Sequence, residues 1–93
     1  VDTVQKQYQL DIERAVRDDA GYKAGYVLRE RNAKNHWYVI QIYSDQEALT
    51  KHVNSPGYRF MMSQIQGSLQ GVTTKVLQGD ILVNHGGQSF VRP

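Results

Sequence analysis

Apolar residues in the first stretch of the chain recur at helical spacing: Val4, Tyr8, Ile12, Ala15 and Val16 fall three and four positions apart, along one face of an α-helix. Asp2 or Thr3 supplies an N-cap, with Gln5 at capping-box distance from Asp2, and Ala20-Gly21 supplies the stop, because glycine enters the left-handed conformation without a Cβ penalty. A competing pattern reads Val4, Lys6, Tyr8 and Leu10 as an alternating strand followed by a short helix from Asp11 to Asp19, at the expense of placing Lys6 on the apolar side. From Tyr22 to Glu30 the period drops to two, with Tyr22, Ala24, Tyr26 and Leu28 on one face and Lys23, Gly25, Val27 and Arg29 on the other. Asn32 to Asn35 is a turn. Trp37 to Tyr43 is rich in aromatic and β-branched residues, so the two segments form a hairpin. Its second strand has one face of Trp37, Val39, Gln41 and Tyr43 and another of Tyr38, Ile40 and Ile42. Both are substantially apolar, which predicts helices against one and a second copy of the chain against the other.

Ser44 caps the next helix and Glu47 completes an S-x-x-E capping box. Ala48, Leu49, His52 and Val53 form its inward stripe. Asn54 to Gly57 ends it, with Pro56 at the start of a further helix in which Tyr58, Met61, Met62, Ile65 and Leu69 recur at helical spacing. Gly67 and Gly71 bracket its end. Val72 to Val83 alternates loosely and predicts a third strand with a bulge at Gly79, and the tail from His85 to Pro93 is a loose arm or an added edge strand.

The full sequence has 93 residues, 40% hydrophobic and 22% charged, which bounds the chain to one globular domain. A domain of this size buries only about 60 to 65% of its unfolded surface, so self-association is expected to support its core. Absence of cysteine excludes a disulfide framework, a thiolate zinc site and a cysteine nucleophile, and is consistent with a reducing, cytoplasmic location. The apolar runs, such as Ile81-Leu82-Val83, are too short to cross a bilayer, so no membrane partner is expected. Eleven Lys and Arg against nine Asp and Glu leave a net charge of +2, with the cations scattered, and no nucleic acid partner is expected.

The segment from Tyr38 to Tyr58 resembles the core of the antibiotic biosynthesis monooxygenase family. In that family an aromatic ends a strand, a serine and acidic residues open a helix, a histidine follows on it, and a proline break precedes another aromatic; Tyr43, Ser44, Glu47, Ala48, His52, Ser55, Pro56 and Tyr58 take these places. The resemblance implies an α+β domain with a ferredoxin-like antiparallel sheet, helices on one face, and a homodimer closed into a dimeric α+β barrel. Tyr43 stands where the family commonly has tryptophan, Gln41 where it has glutamate, and Gly57 where a second histidine often follows the proline. The family also begins with a strand that precedes the first helix. The expectation is that this strand lies upstream, is replaced by Ser89 to Arg92, or is Thr3 to Leu10 under the competing pattern.

Members of the family include cofactor-independent oxygenases of polycyclic phenols, haem-degrading enzymes and proteins acting on small signalling molecules. By that resemblance the ligand is a small aromatic or quinone-like molecule, oxidised by O₂ without cofactor or metal. His52 then serves as base or donor, Tyr43 and Tyr58 as phenolic donors, Trp37 and Tyr26 as flat packing surfaces, Arg29 as the cation for a phenolate, and Met61 as pocket lining. Each of these residues has a structural reading: a hydrogen-bonded core histidine, packing or interface aromatics, a core methionine, and a solvated arginine. The histidines are far apart in sequence with no paired carboxylate beside them, which argues against a metal site. A non-catalytic dimeric module and a haem-binding relative remain as alternatives.

Overall fold

A computed structural model of the protein describes residues 2–83. Helix α1 (Asp2–Asp18) is followed by strand β1 (Tyr22–Arg29), strand β2 (Trp37–Tyr43), helix α2 (Gln46–Val53), helix α3 (Pro56–Ile65) and a 3₁₀ turn at Gln66–Leu69. The helical pattern at the N-terminus therefore prevails over the alternating one, and α1 already includes Asp2 and Thr3, the residues expected to cap it.

The stop after α1 is built on Gly21, whose φ of +82° is open to glycine and strained for other residues. A Cβ there would also lie 2.5 Å from the Ala48 Cβ and 2.6 Å from the Ser44 Oγ. The chain turns back at once, and the Ser44 amide donates to the Gly21 carbonyl at 2.7 Å, fastening the end of β2 to the start of β1. Ser44 thus belongs to the hairpin end, and the N-cap of α2 is Asp45, whose carboxylate accepts from the Ala48 amide at 2.8 Å. The cap expected at Ser44 therefore moves to Asp45, and the capping box is not formed, because the residue three positions on is then Ala48. For α3 the proline signal holds, Pro56 occupying the first turn, and Ser55 caps the helix, accepting from the Tyr58 amide.

Strands β1 and β2 pair antiparallel, with Arg29 opposite Trp37, Val27 opposite Val39, Gly25 opposite Gln41 and Tyr22 opposite Tyr43. An irregularity between Tyr22 and Ala24 moves Tyr22 onto the face of Gly25, Val27 and Arg29, so the expected grouping of Tyr22 with Ala24, Tyr26 and Leu28 is corrected by one bulged residue. Helix α1 packs over the Tyr22 face and against α3, and the buried core comprises Ala15, Tyr22, Ala48, Met61 and Ile65 together with Asp11 and His52. The reverse face carries Ala24, Tyr26, Leu28, Tyr38, Ile40 and Ile42, and there Tyr26, Leu28, Tyr38 and Ile40 are each more than 40% exposed.

The third strand expected from Val72 to Val83 is absent: the described sheet has two strands, and this segment is exposed and carries no strand pairing. Its alternation is real, but a strand also needs a neighbour to accept its ladder of hydrogen bonds. The tail from His85 lies outside the described residues. Among the described residues no helix is long and apolar enough to cross a membrane.

Candidate functional site

Two neighbouring arrangements stand out, a charge cluster around a buried histidine and an open cleft. The cluster forms where side chains from α1 and the residue after it reach His52 on α2. Asp11 is one helical turn beyond Tyr8 on the inward stripe of α1, and Asp19 follows the last turn, so both carboxylates converge on His52. The Asp19 Oδ2 lies 2.7 Å from His52 Nδ1, and Asp11 Oδ2 lies 3.3 Å from His52 Nε2. Arg14 reaches the other oxygens: Nη2 donates to Asp11 Oδ1 at 3.0 Å and Nη1 to Asp19 Oδ1 at 2.9 Å. Gly57 makes room for it, because a Cβ at that position would collide with the guanidinium. Ser55 joins α3 to the same group, its hydroxyl donating to the His52 carbonyl at 2.7 Å and accepting from Arg14 at 3.4 Å.

Aromatic rings enclose the imidazole. Ring centroids of Tyr22, Tyr58 and Tyr43 lie 4.8, 5.0 and 5.7 Å from that of His52, and Tyr22 meets Tyr43 edge to face. His52 has 0% exposed surface. Hydrogen bonding from Arg14, aided by His52, holds the Asp19 carboxyl below its usual range, and the Asp19 bond in turn raises Arg14. Burial pushes the phenols the other way: Tyr8 rises to about 12, and Tyr22, Tyr43 and Tyr58 are also raised, with the nearby Asp11 charge adding to the effect. These hydroxyls are therefore proton donors at neutral pH.

The cleft, of about 430 Å³, opens between α1 and the covered face of the sheet. Gln5, Gln9, Ile12 and Glu13 form one wall, and Gly25, Val27, Arg29 and Trp37 form the other. Arg29 lies over the Trp37 ring, 5.4 Å from its centroid. Gly25 lets the sheet come close to the helix, since a Cβ would sit 2.9 Å from Ile12 Cγ1 and would collide with the Tyr22 hydroxyl. That hydroxyl donates to Gln41 Oε1 at 2.7 Å, while the Tyr22 ring packs on His52. Tyr22 thus links Gly25, on the cleft wall, to His52 in the cluster. A smaller hollow of about 340 Å³ lies between α2, α3 and the 3₁₀ turn, lined by Val53, Tyr58, Met62 and Leu69 among others.

The residues picked from sequence separate into groups. His52, Tyr43 and Tyr58 come together in the cluster. Arg29 and Trp37 come together in the cleft. Tyr26 projects from the opposite, uncovered face, and Met61 is a core side chain with 2% exposure. The sequence reading found no carboxylate pair beside a histidine, yet Asp11 and Asp19 are both in contact with His52. One signal was available: Asp11 falls on the stripe of Tyr8, Ile12 and Ala15, and a carboxylate on an inward stripe requires a partner. Nothing in the local pattern marks Gln5, Gln9 or Glu13 as cleft residues.

The sequence model of the antibiotic biosynthesis monooxygenase family matches residues 2–64, from the start of α1 to within one residue of the end of α3. No curated protein matches the chain.

Proposed function

Because this chain belongs to the antibiotic biosynthesis monooxygenase family, we propose that it acts on a small, flat phenol or quinone-like molecule held in the cleft between α1 and the sheet. The observation that carries this reading is the pairing of Arg29 with Trp37 at that cleft, which offers a cation and a flat apolar surface to one ligand. A volume near 430 Å³ suits a ligand of two or three fused rings. In the oxygenase form of this reading Arg29 stabilises the phenolate, and the electron-rich ring carbon reduces O₂ to a hydroperoxide that loses water to leave a quinone carbonyl. One O₂ is consumed per substrate, with one oxygen atom retained and one released as water.

Glu13 is the carboxylate in the cleft and takes the substrate proton in this scheme. Tyr22, kept protonated by burial, steadies the floor of the cleft through Gln41. His52, Tyr43 and Tyr58 act one layer beneath, fixing Tyr22 and α1 rather than touching the ligand. A second copy of the chain covers the apolar face of Tyr26, Leu28, Tyr38 and Ile40 and makes the homodimer.

A second reading, a binding module without chemistry, is favoured by one observation: the histidine at the family's histidine position is sealed and faces carboxylates with both nitrogens. An oxygen electrode separates the two. With anthrone- or naphthol-type phenols the oxygenase reading expects O₂ uptake that falls at least tenfold in Arg29→Gln. Saturable binding of the phenols with no uptake above buffer supports the module, and neither binding nor uptake removes the cleft from both readings.

A further inference from the structure

The cluster leaves two buried polar atoms without a hydrogen bond, and a proton between them turns their contact into an ion pair. Among the described residues, Asp11 Oδ2 and His52 Nε2 are the buried side-chain polar atoms without a hydrogen-bond partner, and they lie 3.3 Å apart, at ion-pair distance. On the other side of the ring, Nδ1 is already 2.7 Å from Asp19 Oδ2. A neutral imidazole has one N–H and one lone pair, so either tautomer would leave a bare nitrogen facing a carboxylate oxygen inside the protein. Arg14 cannot relieve this, because its bonds to Asp11 are made to the other oxygen, Oδ1.

We propose that His52 carries protons on both ring nitrogens and completes an alternating ring of charge, Arg14–Asp11–His52–Asp19, that fastens α1 to α2. The formal charges then cancel, with two carboxylates against a guanidinium and an imidazolium. Every charged or titratable group around the ring fits this assignment. Asp11, Arg14 and Asp19 approach from α1 and its end, Tyr22 from β1, Tyr43 from β2 and Tyr58 from α3, with Tyr8 bordering Asp11. The tyrosines bring ring faces and neutral hydroxyls, which suit a cation. Lys51 and Glu47 on α2 are exposed and pair with each other at 3.7 Å.

The consequence reaches the cleft. Its outer wall is α1, through Gln5, Gln9, Ile12 and Glu13, so losing a proton from His52 leaves the ring one positive charge short and loosens the wall against the sheet. His52 is accordingly a positioning residue that makes cleft geometry depend on pH. What the cleft holds rests on the reading given above; the proton count on His52 does not.

The test is nitrogen NMR of the full chain labelled in histidine, without ligand. At pH 7 His52 is expected to show two protonated ring nitrogens whose hydrogens exchange slowly, while exposed His36 shows averaged signals. One protonated and one bare nitrogen on His52 in the folded chain would overturn the assignment, whatever ligand assays report. In Asp11→Asn, with helicity checked by circular dichroism, His52 is expected to keep a single ring proton, and persistence of both would count against the ring of charge. Trp37 emission, followed through the pH at which wild-type His52 loses its second proton, is expected to shift with the same midpoint; a constant emission would refute the link to the cleft.

Discussion

Replacing Asp19 by asparagine keeps the shape of the side chain and removes one charge, so it isolates the electrostatics of the cluster. In the wild type this carboxylate accepts from Arg14 at 2.9 and 3.1 Å and contacts His52 Nδ1 at 2.7 Å, with 17% of its side chain exposed. Breaking a fully buried charge pair costs about 3 to 5 kcal/mol, and the partial exposure of Asp19 and the retained amide oxygen reduce this to about 2 to 3 kcal/mol. For a domain of this size that corresponds to a fall in Tm of roughly 10 to 20 °C. The pH dependence has a definite sign. Arg14 and then His52 hold the folded Asp19 pKa below its unfolded value, so its stabilisation is complete above about pH 4 to 5 and is lost as pH falls through the folded value. Urea unfolding followed by circular dichroism at pH 7 and at stepped lower pH values measures both effects. A difference under about 0.5 kcal/mol at pH 7, or one that does not shrink on acidification, would refute the reasoning.

Gly57→Ala places a methyl group on the Arg14 guanidinium and is expected to lower stability by about 1 to 3 kcal/mol, read by thermal unfolding, with Arg14→Ala largely abolishing the added effect in a double-mutant cycle. Ser55→Ala removes the α3 cap together with bonds to the His52 carbonyl and Arg14, for a loss of about 1 to 2 kcal/mol in urea unfolding. Spectrophotometric titration is expected to show less phenolate at pH 10 to 11 in the folded chain than in urea, because burial raises Tyr8, Tyr22, Tyr43 and Tyr58; equal absorbance would contradict their placement. Ile40→Lys is expected to move the protein from dimer to monomer in sedimentation equilibrium, which tests the second copy proposed for the uncovered sheet face.

Local chemistry made most of the fold readable. The period of the apolar residues gives α1 and the hairpin, and Pro56 gives the start of α3. Failures occurred where a distant partner decides. Ser44 closes the hairpin end through its bond to Gly21 while Asp45 takes the capping role, and residues 72–83 alternate as a strand does but pair with no strand among the described residues. The bulge near Lys23 reverses the side taken by Tyr22, a one-residue effect that periodicity alone cannot register. For the site, the resemblance drew attention to His52, Tyr43 and Tyr58, which do assemble, whereas the partners of His52 come from a helix more than thirty residues away in sequence. Long-range electrostatics of that kind leaves only the inward position of Asp11 as a trace.

Ligand binding is proposed at the cleft of Arg29 and Trp37, and the chain's single tryptophan reports on it directly. Titrating the protein with a hydroxynaphthoquinone while following Trp37 fluorescence is expected to give saturable quenching, with Arg29→Gln binding about tenfold more weakly, a loss of about 1.4 kcal/mol. Quenching that never saturates, or an Arg29→Gln protein that binds as the wild type does, would contradict it.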